Sequence, residues 1–188
     1  MIRKIIGILL LALAFAGIGC RLCWLGFRYP SPREQTCELG DCVQLGSYSV
    51  VFTDWSWSDG AILHELCPGF RFLPGEDGEE YPVSRERIGL AVLTIAKVGE
   101  EDDMLDLTGI AFESGGWGNQ FDMELMYLLN PRLESLRLQM EKGESMEILL
   151  PIAMTDQQFT QEQWKRIDSR TFYVVLDYYP QKTRFRCG

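Results

Sequence analysis

The 188-residue chain is 46% hydrophobic, enough to bury one ordinary core, and its 27 Asp and Glu outnumber its 18 Lys and Arg. Residues 1–33 hold five of those cations (Arg3, Lys4, Arg21, Arg28, Arg33) and no acid, so the other 13 face all 27 acids and the chain beyond residue 33 carries a net charge of −14. A field of that sign repels a phosphate backbone, and the one cation–aromatic run, Lys182, Arg184 and Arg186 around Phe185, is short, which argues against nucleic acid as a partner.

Arg3 and Lys4 precede Ile5 to Cys20, sixteen residues without a charge, the order of charged and apolar residues that export machinery reads. At 1.5 Å per residue that run reaches only about 24 Å of a hydrocarbon layer about 30 Å thick. As a signal anchor the helix continues through Leu22, Cys23, Trp24, Leu25 and Phe27, with Arg21 snorkelling and Trp24 and Tyr29 near the interface. As a lipoprotein signal, Gly17-Ile18-Gly19-Cys20 is similar to a lipobox with Cys20 as the lipid attachment, Gly17 standing where a Leu is usual. Cleavage after Ala16 or Gly19 is the third outcome. We divide the chain into a signal anchor or signal segment at 1–27, a linker at 28–41 marked by Tyr29-Pro30-Ser31-Pro32, and an extracytoplasmic domain at 42–188.

Cys37, Cys42, Cys67 and Cys187 are the disulfide candidates of an exported domain, and four cysteines allow three pairings. A Cys37–Cys42 bridge closes a small loop worth about 2 kcal/mol, and a Cys67–Cys187 bridge a far longer one worth about 5 kcal/mol. No C-x-x-C pair lies in the domain and its one histidine, His64, has no second ligand pair at finger-like spacing, so no metal or other cofactor is expected.

Val43–Leu45 and Ser47–Trp57 are rich in β-branched and aromatic residues and read as strand. Simple alternation puts Trp55 and Trp57 on the face of Val51 and Thr53, a binding strip or part of a core. Ala61–Leu66 reads as a short strand, and residues 68–82 as an acidic, turn-rich insertion. Ile88–Val98 is apolar on both faces and is expected to be central. Leu105–Phe112 reads as the next strand and Ser114–Asn119 as a turn. Phe121–Leu129 fits helix or strand, and Asn130-Pro131 fits a helix cap. Leu136–Met140 and Met146–Ile152 alternate around Lys142-Gly143 and are expected to form a hairpin. Thr160 and Gln163 have capping-box spacing for one short helix, and Thr171–Tyr179 returns to strand before Pro180. Seven or eight strands, one short helix and no crossover helices give a mostly β, antiparallel sandwich behind the amino-terminal helix.

Three segments carry a resemblance: Arg87-Ile88-Gly89-Leu90-Ala91-Val92-Leu93-Thr94-Ile95, Gly143-Glu144-Ser145-Met146-Glu147-Ile148-Leu149-Leu150-Pro151, and Arg170-Thr171-Phe172-Tyr173-Val174-Val175-Leu176-Asp177 with Tyr179-Pro180. Over most of residues 43–187 the chain resembles uncharacterised exported or lipid-anchored bacterial proteins with an immunoglobulin-like domain. The resemblance implies an immunoglobulin-like fold and an extracytoplasmic location, and it carries no catalytic residue.

A Ser or Cys nucleophile needs a poised base, and the chain has one His, no G-x-S-x-G and no phosphate-cradling glycine motif. Carboxylates are abundant; Asp102, Asp103 and Asp106 are the Ca²⁺ candidates, though their spacing is not that of a D-x-D-x-D-G loop. The expected function is therefore a non-enzymatic, membrane-tethered binding or interaction module. The alternative is a hydrolase of envelope polymer using two carboxylates about 5–10 Å apart in a cleft.

Overall fold

The run from Ile2 to Arg28 holds no proline and few charges, and it forms one 27-residue helix, α1 (Ile2–Arg28). The computed structural model describes residues 2–30, 32–58, 64, 65, 68 and 85–187. Two compact units divide the chain, residues 1–33 and 34–188. In the first, the window Leu11–Arg28 has a mean hydropathy of 1.4 and none of it is buried, so among the described residues α1 is the one helix long and apolar enough to cross a membrane. Its length of about 40 Å exceeds a hydrocarbon layer of about 30 Å.

The second unit is built from eleven strands and two short helices among the described residues. The strands are β1 (Arg33–Cys37), β2 (Cys42–Leu45), β3 (Tyr48–Ser58), β4 (Glu86–Lys97), β5 (Leu105–Asp106), β6 (Ala111–Ser114), β7 (Trp117–Gln120), β8 (Arg137–Leu138), β9 (Ser145–Thr155), β10 (Phe172–Asp177) and β11 (Gln181–Cys187). The helices are α2 (Met123–Leu129), with Asp122 as its cap, and α3 (Gln161–Lys165), which has the expected Thr160–Gln163 capping box. One sheet has the order β1-β11-β10-β6-β7 and another β2-β3-β4-β9, while β5 and β8 form a small ribbon. The pairs β2–β3, β3–β4, β4–β9, β5–β8, β6–β7, β6–β10 and β10–β11 are antiparallel.

The two large sheets share one core, and the chain is an antiparallel β-sandwich. Phe52 and Ile95 from one sheet meet Phe112, Val174 and Phe185 from the other in a single buried cluster, with the Phe52 and Phe185 rings stacked 5.5 Å apart. β4 is central, as its doubly apolar sequence requires. Ala91, Leu93 and Ile95 face the sandwich core, while Ile88 and Leu90 face Leu125 and Leu129 of α2, which covers the outer side.

Several expectations change. The pairing of β3 with β4 slips between Phe52 and Asp54, so Thr53 is an extra residue, a bulge. The bulge inverts the alternation: Tyr48, Val50 and Phe52 point inward before it, and Trp55 and Trp57, opposite Ala91 and Gly89, point inward after it. The two tryptophans therefore do not share a face with Val51 and Thr53. The expected hairpin of residues 136–152 does not form, because β8 pairs with β5 and β9 with β4. Leu105–Phe112 is not one strand: Asp106 accepts from the Thr108 N–H and caps a 3₁₀ turn over Leu107–Gly109. The expected turn at 114–119 is a tighter hairpin, with Gly115 at φ 59° between β6 and β7. Part of the expected linker, residues 33–37, is the edge strand β1, and the basic tail is β11. Of the expected strand at 61–66 only His64 and Glu65 are described, and they are helical; the acidic insertion at 69–82 lies outside the described residues.

The free edge of β9 is blocked by side-chain chemistry. The buried Asn130 amide donates to the Leu149 carbonyl and accepts from the Leu149 N–H, both at 2.8 Å. Pro151 offers no N–H there, and its carbonyl takes the Asp122 N–H at 2.9 Å. Asn130 thus stands in for a neighbouring strand.

Gly89 has no room for a side chain, since a Cβ there overlaps the Trp55 ring and lies 3.0 Å from the Ile152 methyl. We expect Gly89→Ala to lower stability by about 1–3 kcal/mol in urea denaturation, whereas Gly109→Ala, with no heavy atom within 4 Å of the new Cβ, changes it by less than about 0.5 kcal/mol. Asn130→Leu is expected to cost about 1–3 kcal/mol by leaving both Leu149 backbone groups unpaired. Equal stability of Gly89→Ala and wild type would show that the Trp55 seat is not tight.

Candidate functional site

Inward rotation of β3 builds an aromatic array at one end of the sandwich. Trp55 lies 5.1 Å from Trp57, 6.1 Å from Phe112 and 6.2 Å from Phe172 between ring centroids. The array continues through Phe172 to Trp117 (5.8 Å), to Phe159 (5.4 Å) and to Trp164 (6.0 Å). Trp117, Phe159 and Trp164 are half-buried at its rim, with the Arg170 guanidinium 5.4 Å over Phe159 and that of Arg87 5.8 Å over Trp164. Trp55 and Trp57 are half-buried like those three, so the sequence candidates are two members of a longer aromatic array. Arg170 is held in place, donating from Nε to the Ser114 hydroxyl at 2.6 Å and from Nη2 to the Ser114 carbonyl.

Toward the other end, Val50, Leu93 and Ile95 form the floor of a cleft of about 340 Å³ between the sheets. Leu105, Leu107 and Ile110 wall one side and Leu176 the other, while Leu45, Asp106, Thr108, Gly109 and Asp177 form its lip. The floor residues are buried and the polar lip residues are exposed.

The Asp102, Asp103 and Asp106 carboxylates serve three separate structures. Asp102 accepts from the Gln139 amide at 3.0 Å. Asp106 accepts from the Thr108 N–H at 2.9 Å and hydroxyl at 2.6 Å, and pairs with Arg137 at 3.3 Å. Those Thr108 bonds, more than Arg137, hold the Asp106 carboxyl below its ordinary value, the wrong direction for a general acid. Asp103 accepts from the Lys97 ammonium and, at 3.0 Å, from the Ser47 N–H. Among the described residues, no three His, Cys, Asp or Glu side chains converge as metal ligands do.

Lys97 makes the Asp103 site unusual. Only 4% of its surface is exposed, and it sits 4.3 Å over the Tyr48 ring, whose hydroxyl lies 2.9 Å from the Asp103 carbonyl and 3.0 Å from that of Leu138. Burial pushes Lys97 down, but the Asp103 carboxylate outweighs it and leaves Lys97 above its ordinary value. The Lys97 bond, followed by the Ser47 N–H, holds Asp103 down at about 2 from an ordinary 3.8.

Cys37, Cys42 and Cys187 carry free thiols, and Cys67 lies outside the described residues. The small Cys37–Cys42 loop is not closed, and the two residues end and begin strands of different sheets. Cys37 points into the core; Cys42 is exposed, 3.0 Å from the Ser49 hydroxyl. Burial pushes the Cys187 thiol up to about 12 and that of Cys37 upward as well, so neither is a reactive thiolate at neutral pH. Cys20 sits within α1, exposed on its surface.

The family comparison covers residues 75–183, more than half of the chain and most of the sandwich from β4 onward, and matches a domain of unknown function, DUF5028. The chain belongs to the DUF5028 family. No curated protein sequence matches it. Among solved structures, it is similar to a conserved hypothetical protein from Bacillus anthracis at 10% identity and a TM-score of 0.49, over 78% of this chain and 93% of that one. It is also similar to an uncharacterized beta-sandwich protein from Clostridium difficile 630 at 10% identity and a TM-score of 0.44, over 84% and 96%. A third is the yjhA protein from Bacillus subtilis, at 12% identity and a TM-score of 0.44, over 74% and 81%.

The sign of the pH effect follows from the two shifts. The contribution of Asp103 is complete above pH 3.8 and is lost as pH falls toward about 2, and that of Lys97 is complete below 10.5 and is lost as pH rises beyond it. We expect Asp103→Asn to be less stable than wild type at pH 7 in chemical denaturation, with the gap closing between about pH 4 and about pH 2. A gap that stays constant over that range would rule out the ion pair as its source.

Proposed function

We propose that this DUF5028 protein is a membrane-tethered, extracytoplasmic binding module with an immunoglobulin-like sandwich and no catalytic role. The observation that carries the reading is the division of labour among its side chains. Among the described residues, the aliphatic cleft and the half-buried aromatic rim are apolar contact surfaces, and Asp103 is tied to Lys97. A second, acidic cleft lined by Glu100, Glu101, Asp102, Glu141 and Glu144 is where the hydrolase alternative would have to act.

Strand order supports the immunoglobulin-like description. In that fold C, F and G share one sheet and B and E the other. Here β6, β10 and β11 are consecutive in order C-F-G within one sheet, and β4 and β9 neighbour each other as B and E do in the second. The tether is supported by α1, which runs on through Cys20 to Arg28 as the anchor reading requires, with Arg28 over the Trp24 ring at 5.5 Å. Only residues 29–32 separate that helix from β1.

Topology is tested in intact cells. With Cys23→Ser and Cys67→Ser as background, a membrane-impermeant maleimide is expected to label the full-length protein at Cys42, and Cys42→Ser to abolish the labelling, because Cys37 and Cys187 are buried and Cys20 lies within the anchor helix or carries the lipid. Labelling that needs cell lysis places the domain inside and sinks the reading. The mass of the intact extracted protein separates the tethers: an unprocessed terminus marks the anchor, and an acylated Cys20 terminus the lipoprotein.

Function is tested by crosslinking the full-length chain in its own membranes. A discrete saturable partner is expected; release of new reducing ends from envelope polysaccharide by the purified full-length protein would establish the hydrolase instead.

A further inference from the structure

We propose that the inter-sheet cleft is a peptide-binding site that takes a branched aliphatic side chain from a basic segment of a partner protein. The proposal rests on the binding-module reading and names the chemistry of its ligand.

The floor of the cleft belongs to the sandwich itself. Val50, Leu93 and Ile95 are inward residues of β3 and β4 and are 1% exposed or less, so the floor is fixed by two paired strands. Elsewhere the five-stranded sheet closes over such residues, but here the Leu105–Ile110 segment does so, and about 340 Å³ is left between it and Leu176. Protein interiors leave few voids larger than a water molecule, because atoms lining a gap lose dispersion partners on one side. An aliphatic cleft of this size matches the lower range of ligand sites, which are apolar with a few polar groups at the edge.

Those polar groups decide the ligand's other end. Asp106 and Asp177 lie on the lip and no Lys or Arg is among the lining residues. Arg137 meets Asp106 at 3.3 Å, yet both are well exposed, so the pair is weakly held. The lip is pre-formed, since Asp106 caps the 3₁₀ turn that carries Thr108 and Gly109. A lip of carboxylates on a domain of net charge −14 repels fatty acids and acidic peptides and favours an aliphatic group flanked by cations. A Leu or Ile between Lys or Arg residues meets both requirements.

The test titrates the full-length protein, in a neutral detergent, with three blocked tripeptides: Lys-Leu-Lys, Lys-Gly-Lys and Glu-Leu-Glu. Saturable binding of Lys-Leu-Lys is expected, about tenfold tighter than that of Lys-Gly-Lys, and none of Glu-Leu-Glu. Gly109→Trp places a bulky side chain at the lip, where a Cβ meets no heavy atom within 4 Å, and is expected to remove the advantage of Lys-Leu-Lys without lowering the melting temperature. Asp177→Asn is expected to weaken Lys-Leu-Lys while leaving the fold intact. Equal binding of Lys-Leu-Lys and Lys-Gly-Lys reduces the effect to surface charge and overturns the proposal. Equal binding of Glu-Leu-Glu, full retention in a folded Gly109→Trp, or no binding of Lys-Leu-Lys at tens of millimolar overturns it as well. A membrane partner still crosslinked by Gly109→Trp leaves the binding-module reading standing and removes only the cleft.

Discussion

The seat of Trp55 on Gly89 is the contact on which the second half of the sandwich depends. Gly89 lacks the Cβ that would fill the space, and the bulge at Thr53 supplies the half-turn of phase that brings the indole inward. Without the bulge, Trp55 and Trp57 face solvent and Phe172 loses two ring neighbours at 6.2 and 5.2 Å. Extending β3 past Phe52 keeps its pairing with β4 to Ser58, so the bulge changes the face presented by β3 without ending the strand. The aromatic array to Trp164 is the consequence.

The opposite end of the sandwich is held by polar chemistry. Lys97 ends β4 under the Tyr48 ring, and through Asp103 it fixes the Ser47 backbone that opens β3. The same lysine donates its N–H to the Glu144 carbonyl and accepts from the Gly143 N–H, so the start of β9 is tied to this point. A buried charge is costly unless paired and hydrogen-bonded, and here one carboxylate, one carbonyl and one aromatic face meet that need. The cleft lies between this polar closure and the aromatic end. Its floor comes from the same two strands, and its outer wall comes from the Leu105–Ile110 segment rather than from a strand of the five-stranded sheet.

Much of this was legible where a residue's local neighbours decide its state. The doubly apolar Ile88–Ile95 run announced a central strand, and Thr160–Gln163 announced a capped helix, because both signals act over a few residues. The hairpin expected at 136–152 failed for the complementary reason. Alternation identifies strand but not partner, and β8 and β9 found theirs in β5 and β4. Residues 33–37 were read as linker and residues 182–186 only as a short cation–aromatic run, since neither is apolar enough to stand out, and each became a strand through its neighbour. The cleft has no sequence motif at all: Val50, Ile95, Ile110 and Leu176 are ordinary core residues in the sequence, and only the gap between them is special.

By itself, the sequence determined an apolar amino-terminal helix, an acidic body and an antiparallel β architecture, since each follows from composition or from a repeat of two or a few residues. Tertiary structure alone decided which way Trp55 and Trp57 point, because one extra residue at Thr53 shifts the pleat and is visible only in the pairing of β3 with β4. It also decided that Asp102, Asp103 and Asp106, close neighbours in sequence, serve different partners. Those partners, Gln139, Lys97 and Arg137, are brought up by chain segments that only folding places there.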